Sequence, residues 1–205
     1  MYFGLSEEQQ FFQESIDKFL EDTVTVDALR SYRTGEDDNL IDDVFNGLNE
    51  LGLSGLIIPE EYGGLGLDTL FAISVSESLG KGVAPYPFIG SFLIAPFLIN
   101  KLGSDSQKQK YLPSIANGEY RFAVALTEMT GRRIEKGIQS SKQKLSGQSL
   151  FVMDDIHSTH YLILDSDGAL HIVEAEESGL EKVELMTVDI TSFVSELKLD
   201  QVKTE

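Results

Sequence analysis

His157, His160 and His171, with Asp154 and Asp155 close by in the chain, are the side chains whose types alone suggest metal chemistry. In an extended strand, residues three apart point to opposite faces, so His157 and His160 diverge unless a turn intervenes, and no metal ligand set is expected. Nucleophilic chemistry finds as little support. The chain has no cysteine, which removes disulfides, thiolate zinc sites and a cysteine nucleophile. No Gly-x-Ser-x-Gly elbow presents a serine. Gly63-Gly64-Leu65-Gly66 lacks the strand and helix that flank a dinucleotide fingerprint, and there is no Walker-type phosphate loop.

The elements that any site must stand on change in character along the chain. Ser6-Glu7-Glu8-Gln9 is a capping box and starts a helix, after which Phe12, Ile16, Phe19 and Leu20 recur on one face. A second amphipathic helix is expected over residues 40–52, with Gly52 as its cap. Pro59 to Gly66 is an ordered loop, helical patterning returns near Thr69, and Phe88 to Leu102 reads as one buried helix, too short to span a bilayer. Ser104 and Gln107 form another capping box, and Gly118 ends the helix they start.

From Arg121 the period drops from 3.6 to 2. Phe122–Leu126, Lys144–Met153, Tyr161–Leu164, Leu170–Val173 and Val194–Leu199 read as strands, and Asp167-Gly168 between two of them signals a hairpin. The expected fold class is therefore α+β: an all-α N-terminal domain over residues 1–118, then a small antiparallel β-barrel-like domain over residues 119–205.

Charge narrows the partners. A formal net charge of -18 repels nucleic acid and anionic membranes alike. Residues 151–205 carry 13 acidic and 3 basic side chains, a net of -10; this strip is either a solvated face or a docking surface for a basic partner. The start of the chain has neither a secretion signal nor an Arg-rich transit pattern, so a cytoplasmic location is expected.

Four motifs in order add a family resemblance. Ile58-Pro59-Glu60-Glu61-Tyr62-Gly63-Gly64-Leu65-Gly66, Glu77-Ser78-Leu79-Gly80-Lys81-Gly82 with Pro85-Tyr86-Pro87-Phe88, Gly103 to Pro113, and Ala125-Leu126-Thr127-Glu128 together resemble the acyl-CoA dehydrogenase family. The likeness is most specific before residue 130 and looser after it. It implies FAD-dependent α,β-dehydrogenation of an acyl-CoA thioester, with electrons passed to an electron-transferring flavoprotein and a homo- or hetero-oligomer when full length. It also implies that the chain is truncated before the C-terminal helical domain, which in the family carries the catalytic glutamate, so no catalytic residue is assigned and the chain alone is expected to be inactive and to hold little or no FAD.

By motif match, the Leu126 and Thr127 backbones and the Thr127 hydroxyl are candidates for hydrogen bonding to the flavin ring, unless Thr127 only satisfies a strand end. Phe88, Ser91, Phe92 and Ala95 fall where family members line the acyl tail pocket, or else they are plain core. Two departures stand out. Met129-Thr130-Gly131-Arg132-Arg133 replaces the usual small residues, and Arg132 either pairs with phosphate through charge-assisted hydrogen bonds or is a surface arginine. Phe151-Val152-Met153 replaces Trp-x-Thr or Trp-x-Ser: stacking survives the first change, but a thioether cannot stand in for the hydroxyl. Such variants resemble branches of the family that act on bulky acyl groups such as sterol side chains, and also partner subunits of mixed oligomers that have lost catalysis and weakened flavin binding.

Overall fold

Ser6 opens the first helix as expected: its hydroxyl accepts the Gln9 N–H at 3.2 Å while its own N–H donates to Gln9 Oε1 at 2.9 Å. The computed structural model describes residues 4–36, 39–126, 137–189 and 191–205. Helix α1 (Glu7–Thr23) buries Ile16 and Leu20 and packs Phe12 and Phe19 against the same core. Helix α2 (Val26–Thr34), which the apolar pattern does not announce, is capped by Thr25 and closed by Gly35 at φ 73°. Helix α3 (Leu40–Glu50) ends at Leu51, and Gly52 then turns the chain at φ 86°. The Phe19 ring lies so close over Gly47 of α3 that a Cβ there would be 2.2 Å from it.

Short 3-10 turns at Leu53–Gly55 and Glu60–Tyr62 lead to α4 (Thr69–Lys81). The stretch expected as one buried helix is two elements, a π-helical turn (Phe88–Ile94) running into α5 (Ala95–Leu102). Pro96 explains the break. It has no N–H and its ring crowds the carbonyl four residues back, and a wider turn before it relieves that crowding. Nor is the stretch buried all round, because Ile89, Phe97 and Leu102 are exposed. Helix α6 (Asp105–Ala116) carries the second capping box on Ser104 and Gln107. No helix among the described residues is long and apolar enough to cross a membrane.

The strands are β1 (Phe122–Ala125), β2 (Gln139–Ser141), β3 (Lys144–Met153), β4 (His160–Leu164), β5 (Leu170–Glu174), β6 (Leu180–Glu184) and β7 (Val194–Lys203). They form one sheet in the order β5-β4-β1-β3-β7-β6, with β2 added beside β3. The sheet is mixed: among the described residues every pairing is antiparallel except β1 with β4, where Phe122 to Ala125 face His160 to Ile163 in parallel. The helical part followed by this curled sheet is the layout read from the sequence. The one parallel pair is the difference, and it arises because β3 lies between β1 and β4 in the chain, providing the long connection that parallel neighbours need. The curl brings the end of β7 round to β5, where Glu205 and Ile172 exchange backbone hydrogen bonds at 3.1 and 3.2 Å.

Strand β1 is buried on both faces. Phe122 and Val124 join the core shared with the helices, while Ala123 and Ala125 join Tyr161, Ile163, Leu145, Val152 and Leu197 inside the curl. Both apolar cores therefore meet across one short strand.

Candidate functional site

Strand β1 ends at Ala125, and Val124 is paired antiparallel with Met153 of β3. That direction puts Leu126 and Phe151 on the same side of the pair. Between Ser149 and Val152 the pairing with β7 shifts by one residue, so β3 carries a bulge there. Phe151 sits in the bulge at φ 56°, left-handed for a residue with a large side chain, and its ring is 54% exposed. Val152 turns the other way into the core of the curled sheet, and Met153 packs on the helical core. Leu126 also packs there. Of the triplet, Phe151 is the residue with a face to offer a flat ring ligand. Thr127 and Arg132 lie outside the described residues.

The four acyl-pocket candidates go together into the helical core. Phe88, Ser91, Phe92 and Ala95 are all essentially without solvent exposure. Ser91 Oγ accepts the Phe122 N–H at 2.7 Å. The Phe92 ring stacks on Tyr86 at 5.3 Å and leans on Phe45 at 5.9 Å. Phe88 reaches a space of 450 Å³ between α4 and the β6–β7 connection, lined by Leu79, Val83, Tyr86 and Ile89 with Asp189 and Thr191 opposite. Its mouth is held in shape by Asp189, whose carboxylate takes the Thr191 N–H at 2.9 Å and the hydroxyls of Thr191 and Ser192 at 2.7 and 2.6 Å. These bonds hold the Asp189 carboxyl below its ordinary value.

The histidines separate. His157 reaches Asp42 at 3.5 Å and Arg121 at 3.4 Å on the surface. His160 is buried, stacked on Phe122 with centroids 5.1 Å apart, and its burial pushes the ring's pKa down. His171 Nε2 meets Asp165 Oδ2 at 2.9 Å. Among the described residues no three metal-binding side chains converge.

One cluster has no signal in the sequence. Asp155, fully buried, takes the Tyr161 hydroxyl at 3.1 Å and Lys182 Nζ at 3.2 Å, and the Ser195 hydroxyl donates to it as well. Burial, with the Asp155 charge beside it, drives the Tyr161 hydroxyl far above its ordinary value, so it stays a donor. Each of these residues comes from a different strand or loop, which is why no local spacing marks them. The group ties β4, β6 and β7 to the loop after β3.

For a flavin, the exposed Phe151 ring beside the end of β1 is a fitting platform. Met153 offers no hydroxyl.

Comparison with known proteins bears on these features. The acyl-CoA dehydrogenase N-terminal domain model matches residues 6–119, more than half of the chain. Isovaleryl-CoA dehydrogenase of Pongo abelii is 33% identical over 129 residues, covering 61% of this chain and 30% of that enzyme. A chain of a variant of the Tcur3481-Tcur3483 steroid ACAD superposes with a TM-score of 0.82 at 28% identity, over 97% of this chain and 56% of that one. A chain in the structure of the electron transferring flavoprotein of Acidaminococcus fermentans gives 0.81 at 26% identity, over 100% of this chain and 58% of that one. The chain thus spans little more than half the length of these two solved chains and less than a third of the isovaleryl-CoA dehydrogenase it matches.

Proposed function

The chain belongs to the acyl-CoA dehydrogenase family, and on that footing we propose that it forms the flavin-supporting part of an enzyme that dehydrogenates an acyl-CoA thioester between its α and β carbons. The observation that carries this reading is the β3 bulge, which holds the Phe151 ring out beside the end of β1. FAD, when bound, supplies the hydride acceptor. Phe151 supports the ring by stacking, and the backbones of Leu126 and Thr127 are the donors and acceptors for its polar edge. The 450 Å³ space at Phe88 and Ile89 is apolar on its helical side and suits part of an acyl group. No residue of this chain is assigned as the base that removes the α proton.

Electron-transferring flavoprotein is the proposed electron acceptor, a reading supported by the Acidaminococcus neighbour. The steroid ACAD neighbour supports a bulky acyl group and a mixed oligomer.

A second reading is a partner subunit that keeps the fold without catalysis, and Met153 in place of a hydroxyl residue favours it. One experiment separates the two. The chain contains no tryptophan, so Phe151→Trp creates a single reporter at the proposed platform. With the remaining length seen in relatives supplied and any tryptophan in it replaced, adding FAD is expected to quench its emission saturably, by more than about half, since a stacked flavin contacts the indole directly; the 205 residues alone are expected to show little quenching. Unchanged emission at FAD concentrations in the high micromolar range would remove the flavin role and leave the partner-subunit reading. Turnover of an acyl-CoA is expected only when the remaining length seen in relatives is supplied.

A further inference from the structure

Asp154 is the first residue after β3, and its carboxylate leaves the sheet to hold the helical part. The Gly90 N–H donates to Asp154 Oδ2 at 2.5 Å, and the Ser91 N–H, next along the turn, adds its pull on the same carboxyl. Both donors belong to the π-helical turn. The approach is close: a Cβ on Gly90 would stand 3.1 Å from Oδ2 and 3.2 Å from Val124 Cγ2, so a side chain there would require its neighbours to give by a few tenths of an ångström. Asp154 itself is left-handed at φ 58°, a conformation that Asp and Asn accept more readily than other side-chain-bearing residues. Its carbonyl accepts the Ile156 N–H at 3.0 Å, which folds the following loop back beneath it.

Two exposed apolar side chains flank this contact. Phe151 stands three residues before Asp154, and Ile89, 47% exposed, directly precedes Gly90. The buried Ser91–Phe122 bond already joins the two layers deeper in the molecule. The Asp154 contact is a second tie between the layers, and its place bears on the relative setting of the β3 bulge and the π-helical turn, the segments proposed above for flavin and acyl group.

We propose that Asp154 is a positioning residue: its acceptor oxygen fixes the π-helical turn against the end of β3 and so sets how Phe151 and Ile89 are presented to ligand. The role in ligand binding rests on the flavin reading; the positioning of the two segments does not. An oxygen acceptor is what the geometry needs, so an amide should serve in place of the carboxylate.

The test compares Asp154→Ala, Asp154→Gly and Asp154→Asn in the protein carrying Phe151→Trp, with the remaining length seen in relatives supplied for the FAD arm. In the alanine variant, amide exchange at Gly90 is expected to quicken by about tenfold or more relative to other core amides, because its donor loses its acceptor. Emission of the introduced tryptophan is expected to shift in wavelength, and FAD affinity to fall by about tenfold as the platform loses its setting. The asparagine variant is expected to restore all three to within about threefold, whereas Asp154→Gly, which suits the left-handed backbone but brings no acceptor, is expected to behave like alanine, so that backbone strain alone cannot account for the rescue. Unaltered exchange and emission in the alanine variant would overturn the proposal. So would an asparagine variant that behaves like alanine, since the charge and not the oxygen would then be at work. If the parent carrying Phe151→Trp alone shows no quenching by FAD, the flavin reading fails on that arm, and the exchange and emission arms still decide the positioning.

Discussion

Ser91 Oγ accepts the backbone N–H of Phe122 at 2.7 Å, with both residues sealed from solvent. A side chain of the π-helical turn thereby completes the hydrogen bonding of the first strand, at the point where β1 leaves its neighbours' ladders. The bond joins the helical layer to the sheet by polar chemistry inside an otherwise apolar contact. Ser91 therefore has a structural duty whatever its place in an acyl pocket.

Replacing Ser91 with alanine removes that acceptor and leaves the Phe122 N–H buried without a partner. Ser91→Ala is expected to lower unfolding stability by about 1–3 kcal/mol. Urea denaturation measures this, and a loss well under about 0.5 kcal/mol would mean that water or another acceptor replaces the hydroxyl.

What the sequence discloses follows from how local each signal is. The capping boxes at Ser6 and Ser104 and the Asp167-Gly168 hairpin are each complete within five residues of chain, and all three are found as read. Helix α2 is missed because none of its residues is buried, so its apolar period is blurred, although Thr25 and Gly35 mark its ends. Strand β2 is exposed throughout and β6 is rich in acids, so neither shows strand composition. The β1–β4 pairing and the Asp155 cluster are relations between distant segments, and no spacing within one segment encodes them. At the candidate site, the residue types of Phe151 and Met153 are legible. The bulge that turns Phe151 outward is not, since it exists only against β7.

Asp154 gives a pH prediction. Burial raises its carboxyl to about 6 against the pull of the Gly90 and Ser91 N–H groups. In the unfolded chain the same group titrates near ~4. Between those values the folded protein keeps a proton that the unfolded chain has released, so this group's contribution to stability falls as pH rises from ~4 to ~6 and is level above. Asp154→Asn removes the dependence. At pH ~7.5 the variant is expected to be more stable than the parent by about 1–2 kcal/mol, a value reduced for partial solvent screening. Denaturation across the pH range checks this, and a parent and variant with parallel pH profiles would contradict it.

Asp165 predicts the opposite slope. Burial by itself would raise its carboxyl, but the His171 ring at 2.9 Å and the Ala169 and Asp167 N–H groups at 2.8 and 3.0 Å hold it below the ordinary value. A depressed carboxyl stabilises the fold above the unfolded value of ~4 and loses that contribution as pH falls through the lower folded value. Asp165→Ala takes away the acceptor of the β4–β5 hairpin turn. The substitution is expected to cost about 2–3 kcal/mol at neutral pH and much less in strong acid. Equal losses at both pH values would show that packing, and not the charged acceptor, holds the turn.

Phe92 separates core from acyl pocket most sharply. Its ring has no solvent exposure and is packed between Tyr86, on which it stacks, and the tilted ring of Phe45, both of which belong to the helical core. Truncation to alanine removes a full aromatic side chain from a packed interior that relaxes only partly, so Phe92→Ala is expected to cost about 3–5 kcal/mol. A residue that borders an open space loses somewhat less packing on truncation, because its neighbours on that side are fewer. Phe88, which reaches the 450 Å³ space, is the internal comparison. Phe88 is itself only 2% exposed and part of the helical core, so Phe88→Ala is expected to cost about 3 kcal/mol, at the low end for a buried ring and less than Phe92→Ala. If unfolding measurements rank the two the other way, the space at Phe88 is filled by protein in solution, and the acyl group must be sought elsewhere.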